Sequence, residues 1–99
     1  MATLFWTPSA RRSYENLGEP RTDVGPRLLN AIEGVLDQLV TNPNTVAMKR
    51  RQRRTPSGLI IWKIEIRGRT DDWTLLWMEH PDEPKDVLIV YLGPADYQQ

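Results

Sequence analysis

Gly58-Leu59-Ile60-Ile61-Trp62-Lys63-Ile64-Glu65-Ile66-Arg67 is the stretch on which the fold turns. Side chains alternate along an extended chain, so Ile60, Trp62, Ile64 and Ile66 share one side and Ile61, Lys63, Glu65 and Arg67 the other. This pattern predicts a strand with one buried face and one polar face. Downstream, Trp73-Thr74-Leu75-Leu76-Trp77-Met78-Glu79 and Val87-Leu88-Ile89-Val90-Tyr91-Leu92 are apolar on both faces, as central strands under helices are. Residues 68–72 and 81–86, rich in Gly, Pro and Asp, supply the turns between them.

Upstream the period is helical. After a short β-prone Thr3-Leu4-Phe5-Trp6, Thr7-Pro8 offers a hydroxyl N-cap followed by proline at the first helical position. Ala10, Tyr14 and Leu17 then form one apolar stripe, and Gly18 ends the helix. Pro20 and Gly25-Pro26 mark a connector. Leu28, Leu29, Ile32, Val35, Leu36 and Leu39 define a second amphipathic helix, stopped by Asn42-Pro43. The expected order is β-α-α-β-β-β, an α+β fold with two N-terminal helices packed on a small antiparallel sheet.

A chain of 99 residues fits one domain, residues 1–99, around one modest core. Cysteine is absent, which excludes disulfides and thiolate chemistry. No apolar run approaches the roughly 20 residues of a membrane helix, and the N-terminus has no secretion signal, so no membrane association and a cytoplasmic location are expected. The lone His80, beside Glu79, Asp82 and Asp86, reads as a solvated loop residue, and no metal or other cofactor is expected.

Charge is balanced overall, 13 basic against 13 acidic residues, but strongly segregated. Lys49, Arg50, Arg51, Arg53 and Arg54 fall within six positions; with Lys63, Arg67 and Arg69 against Glu65 they give residues 49–69 a net +7. Residues 70–99 carry a net −6. Such local fields survive screening, whose length is roughly 8 Å at physiological salt. Because Lys63 and Arg67 extend the run along the polar side of a strand, the five residues of the run are candidate RNA-binding residues on a surface rather than a tail. Trp62, Trp73 and Trp77 read as core rather than as stacking platforms, and Asp71-Asp72 and Asp82-Glu83 as turn formers.

Phe5-Trp6-Thr7-Pro8-Ser9-Ala10 before a helix, the Leu28 to Leu39 helix closing at Asn42-Pro43, the basic segment leading into Gly58 to Ile64, and the strands Trp73 to Glu79 and Val87 to Gly93 form a layout that resembles the RelE/ParE superfamily of bacterial toxins from type II toxin–antitoxin modules. The resemblance implies a protein neutralised by a cognate antitoxin. In the RelE-like branch it implies a metal-independent endoribonuclease that cuts messenger RNA in the ribosomal A site, with the ribose 2′-hydroxyl attacking the adjacent phosphate. Such a reaction needs a group to take the 2′ proton, cations for the phosphoryl oxygens and a donor for the leaving oxygen.

Carried over by position, Lys63 matches a catalytic or phosphate-contacting lysine, and Tyr97 matches a residue beyond the last strand. Glu65, Thr74 and Gly93 to Asp96 depart from the family's pattern. Arg67, Arg69 and His80 are the candidates to complete the set. The alternative implied by the same resemblance is a binding protein that does not cut, either a ParE-like inhibitor of DNA gyrase or a silent partner of an antitoxin.

Overall fold

The computed structural model describes residues 1–17, 26–67 and 72–95. Along these run β1 (Leu4–Trp6), α1 (Pro8–Asn16), α2 (Pro26–Thr41), β2 (Arg51–Arg54), β3 (Ile60–Ile66), β4 (Trp73–Glu79) and β5 (Val87–Pro94). The strands form one sheet in the order β1-β5-β4-β3-β2. From β2 to β5 the chain meanders antiparallel, while β1 lies parallel to β5. The fold is α+β, as expected, but the sheet is mixed, because the chain reaches β5 from β1 only by way of both helices and the whole meander.

A second departure is the strand β2, which the expected order lacked. The last four residues of the basic run, Arg51 to Arg54, form a strand paired in register with β3 from Arg51 opposite Lys63 to Arg54 opposite Ile60. The turn Thr55-Pro56-Ser57-Gly58 makes it so. Gly58 N–H donates to the Thr55 carbonyl at 2.9 Å, Thr55 N–H to the Leu59 carbonyl at 2.8 Å, and Leu59 N–H to Thr55 Oγ1 at 3.0 Å. Gly58 takes φ 90°, a conformation open to glycine and strained for other residues. A hairpin closed this tightly pulls the arginines onto the sheet edge.

Both helices lie on one side of the sheet. Thr7 caps α1 by accepting from Ala10 N–H at 3.3 Å and donates its own hydroxyl to the Val90 carbonyl at 3.3 Å, which ties the helix start to β5. Leu28, Ile32, Leu36 and Leu39, at helical spacing on α2, bury against Trp62, Ile64 and Ile66 of β3, Leu75 and Trp77 of β4, and Val87, Ile89 and Leu92 of β5. One extra residue in β5, where Leu76 pairs with Tyr91 but Trp77 with Ile89, lets Ile89 and Leu92 both reach this core. Met48 plugs it from the loop after α2, and its carbonyl accepts Trp77 Nε1–H at 3.1 Å.

Tyr14 joins the helices: its ring stacks on Trp6 at 5.0 Å and its hydroxyl donates to Glu33 Oε1 at 2.6 Å. That bond, with partial burial and the nearby charges of Glu33 and Asp37, raises the Tyr14 phenol from 10.0 to about 12. A raised folded-state value means the contribution is complete below pH 10 and is lost as pH climbs through about 12. Tyr14→Phe should therefore lower unfolding stability by about 1 kcal/mol at neutral pH. Denaturant titrations should show the difference between variant and wild type shrinking over the alkaline window and not at pH 6 to 9.

Candidate nucleic-acid interface

Among the described residues no helix covers the other side of the sheet, and alternation decides which residues reach it. On β3 these are Ile61, Lys63, Glu65 and the residue just past the strand, Arg67. Register then aligns them with the neighbouring strands. Arg51 pairs with Lys63, Lys63 with Leu76, and Leu76 with Tyr91, a transverse row across four strands. Beside it run Glu65, Thr74 and Gly93, and on the other flank Arg53 pairs with Ile61.

From the adjacent row Glu65 reaches both cations of this one. Its Oε1 lies 3.2 Å from Arg51 Nη1 and 4.0 Å from Lys63 Nζ. Arg51 and Lys63 are direct cross-strand partners, a placement in which like charges repel, and the carboxylate between them offsets that repulsion. Arg53 and Arg67 are exposed and have no ion pair among the described residues. The four cations Arg51, Arg53, Lys63 and Arg67 thus outnumber the carboxylates on this part of the face, Glu65 and, two residues before Thr74, Asp72, and an excess of cations is what a phosphate chain requires.

The expected binding residues divide by face. Arg51 and Arg53 reach the open side, whereas Arg54, opposite Ile60, falls on the helix side of the sheet; Arg50 is exposed just before β2. Lys49 lies elsewhere: its Nζ donates to Asn44 Oδ1 at 2.6 Å, pairs with Glu79 at 3.4 Å, and sits 4.4 Å from the Trp62 ring centroid. It serves the core edge.

Among the expected catalytic residues, Lys63 lies in the row. Arg67 is four residues along β3, about 13 Å away, and His80 is four residues past Leu76 in the opposite direction, so the two are about 26 Å apart and cannot share one phosphate. Arg69 and Tyr97 lie outside the described residues.

Sequence reasoning missed Glu65 as a central group and missed Tyr91. The Tyr91 hydroxyl donates to the Pro94 carbonyl at 3.1 Å, and its ring lies over Gly93, where a Cβ would come within 2.6 Å of the phenol oxygen. Any larger residue at Gly93 would displace the ring. The signal was a tyrosine in a strand read as apolar on both faces; register alone shows which side it takes. Thr74, deep between Glu65 and Gly93, is fully buried, and its hydroxyl has no hydrogen-bond partner among the described residues.

The division of the basic run is measurable as stability. Lys49→Met keeps the aliphatic stem but removes the cation over Trp62, and should cost about 1–2 kcal/mol in chemical denaturation. Arg53→Ala should stay within about 0.5 kcal/mol of wild type.

Comparison with protein-family models, curated proteins and solved structures finds no match to this chain.

Proposed function

We propose that the open face binds single-stranded RNA and that the chain acts as a RelE-like toxin, a metal-independent endoribonuclease directed at messenger RNA on the ribosome. The observation that carries this is the row Arg51, Lys63, Leu76, Tyr91 with Glu65 held between its two cations. A carboxylate, paired cations and a phenol on one face match the three requirements of 2′-hydroxyl attack.

In this mechanism Glu65 takes the proton from the ribose 2′-hydroxyl as its oxygen bonds to phosphorus. Arg51 and Lys63, released from the carboxylate, take the charge growing on the phosphoryl oxygens. As the bond from phosphorus to the 5′ oxygen breaks, Tyr91 supplies a proton to the departing oxygen, leaving a 2′,3′-cyclic phosphate and a free 5′-hydroxyl. Arg53 and Arg67 hold flanking phosphates. The partners are then messenger RNA, the ribosome and a cognate antitoxin that covers the basic face with acid.

A second reading, a ParE-like gyrase inhibitor or a silent antitoxin-binding protein, is favoured by one observation: Arg67 and His80, two residues expected to complete the catalytic set, lie at opposite ends of the sheet. The two readings part in a translation reaction supplied with purified protein. Cleavage predicts discrete messenger RNA ends bearing cyclic phosphates, slowed about 100-fold or more in both Glu65→Gln and Lys63→Ala. Glu65→Gln should bind RNA at least as tightly as wild type, since it removes a negative charge, while Lys63→Ala should bind more weakly. An intact transcript over stalled or active ribosomes would reject the nuclease and leave the binding protein.

A further inference from the structure

The aromatic residues are distributed unevenly. Trp62 and Trp77 stack on each other at 4.7 Å inside the core, and Trp6, Tyr14 and Trp73 pack against it. Phe5 alone among the described aromatics is counted with the exposed large apolar side chains, at 40% exposure. Its neighbours Leu4 and Trp6 point to the core, so alternation turns Phe5 to the open face, opposite Leu88 of β5. There its ring meets that of His80 at 4.5 Å between centroids, tilted by 52°. His80 is itself held: Nδ1 accepts Asp82 N–H at 3.1 Å, which fixes the imidazole at the end of β4.

Folding gives no reason to leave the largest exposed ring of the sheet on the same side as its cations. Between Phe5 and Arg53 lies an apolar floor of Leu88, Met78 and Ile61, the first two register partners and the third one residue beyond the Trp62 and Trp77 pair. Phe5 is three strand spacings and two residues from Lys63, about 16 Å, a distance a few nucleotides span.

We propose that Phe5 and His80 form a nucleobase-stacking platform on the open face, taking an unpaired base of a single-stranded RNA whose phosphates follow Arg53, Arg51 and Lys63. The proposal rests on the RNA-binding reading of that face and adds a base-binding subsite to it. Every base has a π-face, so the platform supplies affinity and favours single strands over duplex without choosing sequence.

Fluorescence anisotropy with a labelled single-stranded RNA, run as a salt series, tests it. Phe5→Ala and Phe5→Leu should each weaken binding by roughly 5- to 150-fold, with the slope of log K against log salt unchanged because no phosphate contact is lost. Phe5→Trp should restore wild-type affinity. The leucine variant retains apolar bulk on the sheet and so separates stacking from folding; leucine binding as tightly as wild type overturns the platform, as does equal affinity for the same sequence as duplex. Salt-dependent binding that all three Phe5 variants leave unchanged overturns the platform while the RNA-binding reading stands. Wild-type protein that binds no RNA overturns both.

Discussion

Burial of Trp62, Ile64 and Ile66 beneath α2 is the constraint from which the rest follows. A strand cannot bury these three without presenting Lys63, Glu65 and Arg67 on the opposite side, since a slip of one residue would exchange the faces entirely. That exchange would place two cations and a carboxylate in the core, at a desolvation cost no small domain can bear. Register is therefore fixed by the core, and through β3 it fixes where Arg51, Leu76 and Tyr91 stand on the other face. The geometry of the open face is a by-product of hydrophobic packing on the covered one.

Where hydrophobic period was the whole signal, the sequence was legible. β3, α1 and α2 are written in alternating or helical spacing and β4 and β5 in continuous apolar runs, and all five form close to the expected residues. β2 was not, because a run of arginines has no apolar period. Its pairing comes from Thr55-Pro56-Ser57-Gly58, a turn of which only Gly58 was read, as the start of the next strand. The parallel pairing of β1 with β5 is a contact across nearly the whole chain, and no local pattern encodes it.

The candidate site was legible as composition and not as arrangement. The basic run looked like one object, yet alternation sends Arg51 and Arg53 to one side and Arg54 to the other, while Lys49 is drawn to the Trp62 ring and Glu79. Distances along strands likewise separate Arg67 from His80, which the resemblance had grouped as candidates to complete one catalytic set. Tyr91 and Glu65 join Lys63 only through cross-strand pairing, which composition does not contain.

Glu65 links stability to the proposed chemistry. Two cations placed as direct cross-strand partners at a sheet edge repel, and the β2 and β3 hairpin tolerates Arg51 opposite Lys63 because the carboxylate sits between them. On the proposed mechanism an arriving phosphate offers the same cations a second anion. As Arg51 and Lys63 turn to it, Glu65 is left free of both partners with a 2′-hydroxyl beside it. Binding and release of the carboxylate are then one event. In this arrangement the Glu65 carboxylate is the group that would let a phosphate-binding face also cut.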